Sequence, residues 1–588
     1  MEFYSHPDKL LREHLVEVAR EMERAIQASP ALGGARLDLC GRLLAYCHDF
    51  GKYTSFFQDY LLRKKEHGTL HHHGFISAVF AAYQAGKGNF VSGEVFRGTT
   101  GQDYFPLVAY FVVLHHHGAL GLVEEEVVRE RELEGDFSNI SNVSLRPRLK
   151  VALEQAKDLK VHADEIEAEY QESCGLSGVR EFLDQWIQVF GGLHRLCYWL
   201  MNKELAEFRQ GLFYKILYLY SLLIDADKRS AGGTASTRRL SLPPDLVDRY
   251  RRQVFGLDAT GDGRQSEPEA EIKQMNQIRE RLYHLATTNL IQALEGEAEP
   301  HLFTLTAPTG SGKTLTGFSV ALKLRHWVEQ HHGYSPRIIY CLPFTSIIDQ
   351  NYGVIEEVLG MLPDFEANRS AYLIKHHHLS DVFYTEDGKE RALDEAMLLV
   401  ESWESEIVIS TFIQFFYAII GYRNRALKKL HNIAGSIVIL DEVQSVKLEY
   451  WDLIGYALKL ITKELGCYVL VMTATRPLLF APGEAVELTG ESETTRGLFS
   501  GLDRVELLCR TEKEIAIEDL LEEFKAIYQP GHSYLLVFNT INSSLNAYRQ
   551  IRDMLAGDPT AEVFYLSTNI IPKERLSRVE EIKRRVGG

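Results

Sequence analysis

The chain has 588 residues, 45% of them hydrophobic and 25% charged, and its 64 Lys and Arg against 81 Asp and Glu leave a formal net charge of −17. That length predicts about four domains or subdomains, and the acidic balance excludes coating nucleic acid by bulk electrostatics, which needs Lys and Arg to displace counterions from phosphates. The seven scattered cysteines, with no CxxC pair, exclude a thiolate zinc site and a disulfide framework. No apolar run reaches the ~18 residues of a membrane helix, and MEFYSHPDKLLREH has no apolar signal core, so the cytoplasm is the expected compartment.

From residue 8 to about 230 the pattern is helical, with apolar residues three and four apart in KLLREHLVEVAREMERAI, FISAVFAAYQA, PLVAYFVVLHHH and FYKILYLYSLLIDADK. The 22 histidines gather in triplets at 71–73, 115–117 and 376–378, which points to metal. In CHDFGK, His48 and Asp49 stand near the end of a helix with Gly51 just beyond, and His116 and His117 stand at another end closed by Gly118. Adjacent helical positions point about 100° apart, so neighbouring ligands converge best where a helix ends and the backbone opens. Imidazole and carboxylate ligands without thiolates suit Mn, Fe, Ni, Co or Zn, and such mixed sites can activate water for phosphoester hydrolysis.

Residues 229–240 and 256–271 are rich in Gly, Ser, Thr and charge and read as linker around a domain boundary. After about residue 275, β-rich runs (HLFTLTAP, RIIYCLPF, SEIVIST, SIVILDE, CYVLVMTAT) alternate with amphipathic helices, the pattern of a mostly parallel sheet with crossover helices. TLTAPTGSGKT, 304–314, has the strand-to-helix setting of a phosphate loop. Gly310 and Gly312 let backbone N–H groups turn inward, Lys313 reaches the outer phosphates and Thr314 can hold Mg²⁺, while Ala307 replaces the first glycine of the usual pattern. In SIVILDEVQS, Asp441 at a strand tip is placed for the magnesium shell and Glu442 for the attacking water. MTAT, 472–475, adds a strand ending in hydroxyls, and YRNRALKKLH, 422–431, is a local basic patch suited to a strand groove. A second α/β unit opens near 502 with DRVELLC, SYLLVFNT and EVFYLST, followed by one more helix.

These segments in order resemble a superfamily 2 helicase motor. The resemblance implies that LPFTSIIDQN (342–351) and STFIQFF (410–416) touch a nucleic-acid backbone, that VFNT (537–540) opens a second motor domain, and that Gln277, Thr309 and Ser311 join the nucleotide contacts. The N-terminal half resembles an HD phosphohydrolase, which implies His14, His48, Asp49, His73, His116 and His117 as metal ligands, an aspartate of LLIDADK as the last ligand, and Lys52 as a partner for a substrate phosphate. Of the two aspartates, Asp227 lies three and four residues after Ile224 and Leu223 on the apolar stripe and is preferred to Asp225.

Together the halves resemble the CRISPR-associated helicase-nucleases of type I systems, most closely in wording over residues 401–444. The resemblance implies an all-α HD nuclease domain (1–235), a linker (236–274), an α/β RecA-like motor domain (275–495) and a partial second RecA-like domain (496–588). It further implies a divalent transition metal in the HD site, Mg-ATP in the motor, single-stranded DNA as substrate and an RNA-guided Cascade-type complex as partner. Gln444 stands where that family usually has histidine, and the family's later arginine-bearing motifs are not present before Gly588, so the expected motor is incomplete and hydrolyses ATP poorly. The rival expectations are an HD nucleotide phosphohydrolase with a regulatory motor-like half, and a non-catalytic ATP-sensing DNA clamp.

Overall fold

The computed structural model describes residues 2–28, 37–87, 95–99, 101–255, 270–377, 382–475, 478–490, 492–500, 508–509 and 514–586. They fall into two compact units, Met1–Gly501 and Leu502–Gly588.

The first unit begins with a short antiparallel pairing of Tyr4–His6 with Lys9–Leu10; strands this short leave no period-2 signal, and none was expected. Helices Leu11–Ala28, Leu37–Cys47, Gly74–Gly86, Phe105–Leu114, Val179–Leu200 and Ala206–Gly232 follow, with others between. Gly74–Gly86 buries Ala78, Ala81, Ala82 and Ala85 with its larger apolar residues, and the small side chains let it lie close against Phe105–Leu114. Phe50 stacks on Phe80 with centroids 3.9 Å apart, edge-on to Phe182, which seats the segment after His48 and Asp49 on the core.

The C-terminal half of this unit holds a seven-stranded sheet of β1 (Leu302–Thr306), β2 (Ile338–Leu342), β3 (Leu373–His376), β4 (Ile407–Thr411), β5 (Ile437–Asp441), β6 (Tyr468–Thr473) and β7 (Val486–Glu487). Their spatial order is β7-β1-β6-β5-β2-β4-β3, with every neighbouring pair parallel. All residues of β1, β2, β4, β5 and β6 are buried, because helices cover both faces, and so they read as continuous apolar runs. The carboxyl ends of β1, β6 and β5 stand side by side, bringing the phosphate loop, the MTAT segment and Asp441 to one edge.

Much of the expected linker is packed on the sheet-bearing half. Arg239 grips Glu406 through Nε and Nη2, both at 2.9 Å, the Leu240 amide donates to the same carboxylate at 2.6 Å, and Arg325 lies 2.8 Å away. Helix Leu246–Phe255 adds Tyr250 to Glu357 and Lys323 to Asp248, both at 2.7 Å; residues 256–269 lie outside the described residues. Burial alone would raise the pKa of Glu406, but Arg239 and Arg325 overcome it and hold it at about 2 against an ordinary 4.5. A depressed carboxyl contributes stability that is full above pH 4.5 and lost as pH falls toward about 2. Glu406→Gln, which leaves Arg325 buried without its charge partner, is expected to cost about 3–5 kcal/mol in urea unfolding at pH 7 and to flatten the acid limb of the stability curve.

The stretch YRNRALKKLH, expected as a basic patch, keeps Arg423 and Arg425 exposed but turns both of its lysines inward. Lys428 and Lys429 are 2% and 1% exposed, Lys428 and Arg425 pair with Glu401 at 3.5 and 3.1 Å, and burial lowers the Lys429 pKa to about 8. The segment is a seam between the two halves of this unit: Leu120 N donates to Tyr422 O at 2.9 Å, Asn424 donates to Tyr220 Oη at 3.1 Å, and His431 N donates to Ser221 Oγ at 3.1 Å. A run of cations in sequence says nothing about which way each one faces, and here the apolar neighbours Leu427 and Leu430 pull the lysines inward.

The second unit has helices Ile517–Ile527, Ile541–Met554 and Pro572–Val586 around a small core of Leu521, Phe524 and Ile551. SYLLVFNT and EVFYLST were expected as strands and are not strands among the described residues, with Leu535 and Val537 88% and 82% exposed. A parallel strand is stabilised by neighbours on both sides, and the described residues of this unit hold no paired strand. Most of DRVELLC lies outside the described residues.

Candidate functional site

Helix Leu37–Cys47 stops one residue before His48, whose amide still reaches Leu44 O at 2.9 Å. Asp49 then leaves the helical region (φ −111°, ψ 16°) into a short 3₁₀ turn, so that the two side chains converge. His115 likewise leaves it after Phe105–Leu114 (φ −101°, ψ 3°), setting up His116 and His117. Gly51 is needed for close approach: a Cβ there would meet Ile76 Cγ2 at 2.7 Å and His73 O at 2.8 Å.

The seven residues His14, His48, Asp49, His73, His116, His117 and Asp227 come together as two groups of four that share Asp49: Asp49, His73, His116 and His117, and His14, His48, Asp49 and Asp227, with donor atoms within 4.8 Å in each. Asp49 turns one oxygen to each group. Oδ1 lies 3.1 Å from His73 Nε2 and 3.7 Å from His116 Nε2, and Oδ2 lies 3.2 Å from His14 Nε2 and 3.4 Å from His48 Nε2. Asp227 Oδ1 closes the second group at 3.2 Å from His14 and 3.6 Å from His48. Asp225 is the deeper of the two aspartates, 4% exposed, and points elsewhere; direction, not burial, separates them.

The outer nitrogens fix the rings. His48 Nδ1 donates to Ala45 O at 2.7 Å and His116 Nδ1 to Val113 O at 2.6 Å. His14 Nδ1 donates to Ser230 Oγ at 2.9 Å, since the Ser230 hydroxyl is spent on Glu17. Each of these three Nε2 atoms therefore presents a lone pair to the centre, where all three and Asp49 Oδ1 are buried without a hydrogen-bond partner. Lone pairs and carboxylate oxygens aimed at one another are repulsive until a cation stands between them, so this donor set fits divalent metal. Burial lowers the His73 pKa to about 4, and although burial opposes it, the Lys52 ammonium holds Asp49 well below the usual carboxylate range. Lys52 is buried, with Nζ 2.6 Å from Asp49 Oδ2.

In the phosphate loop, Gly310 and Gly312 have φ of +79° and +83°, the left-handed region glycine enters without strain. Ala307 is fully buried and its amide donates to Thr473 O at 3.1 Å, a position with no need of glycine's freedom. Ser311 Oγ donates to Pro308 O at 2.7 Å, and Thr309 is exposed at the turn. Lys313 Nζ donates to Ala307 O and Pro308 O at 3.1 and 3.2 Å and lies 3.7 Å from Glu442, and Thr314 Oγ1 donates to Asn351 Oδ1 at 3.0 Å. Glu442 has φ +58°, a strained conformation for a side chain of this size. Gln444 donates to Glu442 and accepts from Thr473 Oγ1 at 2.7 Å, tying Glu442 to the MTAT segment. Thr411 caps helix Phe412–Ile420, from which Ile413 and Tyr417 are 63% and 62% exposed.

Gln277 is exposed, and the residue of its helix that reaches the loop is Arg279, whose Nε donates to Gly310 O at 3.1 Å. Neither Arg279 nor Tyr340 was singled out from sequence. Tyr340, fully buried on β2, donates its hydroxyl to Asp441 Oδ2 at 2.8 Å, while burial raises the Asp441 pKa to about 6 and Oδ1 is left without a partner. A tyrosine inside an apolar strand looks like core, and only the fold sets it beside the acid. Tyr340→Phe, which keeps the packing, is expected to weaken magnesium-dependent binding of a fluorescent ATP analogue about tenfold while leaving metal-free binding unchanged.

Comparison with known proteins agrees with this geometry. Residues 286–479 match the DEAD/DEAH box helicase family, so the sheet and its phosphate loop are a helicase domain of that class, joined to a helical half that carries the His-Asp cluster. The chain is 29% identical over 476 residues to the CRISPR-associated nuclease/helicase Cas3 of Haloferax volcanii, covering 76% of this chain and 46% of the relative, so it spans about half the relative's length. Crystal structures of T. fusca Cas3 with ATP and with ADP share its fold, with TM-scores of 0.53 and 0.52 at 16% identity, covering 99% of this chain and 67% of theirs. The chain is Cas3-like.

Proposed function

We propose that this chain is a metal-dependent nuclease for single-stranded DNA coupled to an ATP-driven DNA translocase, acting in CRISPR interference. The observation that carries the nuclease half is the buried Asp49, shared by two groups of inward-aimed nitrogens, of which those of His14, His48 and His116 have no hydrogen-bond partner. His14, His48, Asp49 and Asp227 would hold one ion, and Asp49, His73, His116 and His117 a second, drawn from Mn, Ni, Co, Fe or Zn. Bound metal supplies an activated water and neutralises charge on the scissile phosphate. The chain's own part is to exclude bulk water from His14, His48, Asp49, His73 and His116, to fix the rings of His14, His48 and His116 through their outer nitrogens, and to set the Lys52 charge against Asp49.

In the motor, the backbone N–H groups around Gly310 and Gly312 would cradle phosphates, Lys313 would exchange its carbonyl partners for the outer phosphates, Thr314 and Asp441 would hold Mg²⁺, and Glu442 would orient the attacking water. Gln444 and Thr473 then pass the nucleotide state to the strand-binding loops. The relative's name is that of a CRISPR-associated protein, which supports recruitment to opened DNA by an RNA-guided Cascade-type complex, in the cytoplasm. No described helix is long and apolar enough to cross a membrane.

The test is cleavage of circular single-stranded DNA by the purified chain with Mn²⁺, Ni²⁺ or Mg²⁺, run beside release of products from dNTPs. Metal-dependent DNA cutting with inert dNTPs supports the proposal. Turnover of dNTPs without DNA cutting overturns it in favour of a nucleotide phosphohydrolase.

A further inference from the structure

Near its end, helix Ala206–Gly232 has two polar sides. Asp227 turns to His14 and His48, whereas Asp225 and Arg229, four residues apart and so on one face, lie about 200° around the axis from it and turn to the motor half. There Arg229 donates through Nε to Asp225 and through Nη2 to Glu404 Oε1 at 3.0 Å. Ser402 donates to the other Asp225 oxygen. Glu404 stands three residues before β4 and also accepts from Arg337 at 2.9 Å, Thr237 at 2.8 Å and Asn432 at 3.3 Å. Arg229, Asp225 and Glu404 are 3%, 4% and 8% exposed.

Asp225, Glu404 and His431 lie close enough to suggest a third cation group, but guanidinium groups already occupy both carboxylates. The cluster is a joint. Its place follows from the helix: the two contacts flank Asp227 in sequence and sit on the opposite side, so they resist rotation about the axis, the motion that would swing the Asp227 carboxylate away from His14 and His48. Ligand groups must be held within about 0.5 Å to act, and a helix backbone alone does not fix its own rotation.

We propose that the Asp225–Arg229–Glu404 joint sets the position of the Asp227 carboxylate, making Glu404, a residue of the motor half, a positioning residue for the nuclease cluster. This rests on the reading of the His-Asp cluster as a metal site. The consequence is that a change at the root of β4 alters metal binding in the other half, with no residue of the motor touching the metal.

The experiment compares the full chain with Glu404→Gln, which keeps the side chain's shape, and with Lys463→Ala, which removes a solvent-facing ion pair to Glu207 across the same two halves, 2.7 Å in the parent. Mn²⁺ affinity and the Mn²⁺ EPR spectrum are read well below each variant's melting temperature, with ATP-analogue affinity as a control for the motor. Glu404→Gln is expected to bind Mn²⁺ about tenfold more weakly with an altered spectrum, while Lys463→Ala matches the parent in both. Where Glu404→Gln does not melt cooperatively, Arg229→Lys, which keeps the buried charge and loses the fork, gives the same reading. Parental Mn²⁺ affinity and spectrum in the folded variant overturn the joint's role, and failure of the parent itself to bind Mn²⁺ overturns the metal-site reading beneath it.

Discussion

Asp49→Ala is expected to remove metal-dependent DNA cleavage, by on the order of 10³-fold, because several kcal/mol of charge stabilisation go with the metal. Asp49 is the one residue shared by the two ligand groups. Without it, one group is reduced to imidazoles, and the other keeps only Asp227 as its carboxylate. The substitution also strands Lys52, whose Nζ lies 2.6 Å from the lost oxygen and is buried with it, so some loss of stability accompanies the loss of activity. Asp49→Asn separates the two effects: it fills the same space, and its amide oxygen can still accept from Lys52. Calorimetric Mn²⁺ titration should show binding lost or reduced in both variants, with cooperative melting kept in Asp49→Asn. Wild-type Mn²⁺ binding by a folded Asp49→Asn would refute the ligand assignment.

Lys313→Ala is expected to lower DNA-stimulated ATP hydrolysis on the order of 10²–10³-fold, the scale for removing one preorganised charge from a transferring phosphoryl group. Its ammonium is held by the carbonyls of Ala307 and Pro308 and lies 3.7 Å from Glu442, contacts that an outer phosphate would replace. Cleavage of single-stranded DNA without ATP should be unchanged, since Lys313 belongs to the motor's strand edge and not to the His-Asp cluster. Phosphate release and nicking measured on one preparation give both answers, and hydrolysis at the parent's rate would remove Lys313 from its assigned place.

The parts of this molecule legible in sequence are those whose cause is local. The buried parallel strands read as apolar runs because both faces are covered, and β1, β2, β4, β5 and β6 lie within the runs named for them. The positions that bring His48 with Asp49 and His116 with His117 are legible because helix ends are marked by sequence. What was hidden depends on partners distant along the chain. Ser230 holds the His14 ring from 216 residues away, and Tyr340 meets Asp441 across 101. The buried faces of Lys428 and Lys429, and the packing of the strap around Arg239 on Glu406, depend in the same way on surfaces that exist only once the chain has folded. The preference for Asp227 used the apolar stripe, yet Asp225 is the more buried of the pair; both aspartates are tied to neighbours, and only the identity of those neighbours distinguishes them.

The seam formed by Tyr422, Asn424 and His431 bears on how this gene product can be divided. One continuous apolar core runs from Phe3 to Leu479 through both halves, so a cut near residue 235 would lay open a broad oily face on helix Ala206–Gly232 and strip Asp225 of Ser402 and Arg229 of Glu404. The N-terminal half is therefore not a portable cassette: grafted or expressed without the sheet-bearing half it would tend to clump, and a domain-swap experiment between relatives must exchange the two halves as one block.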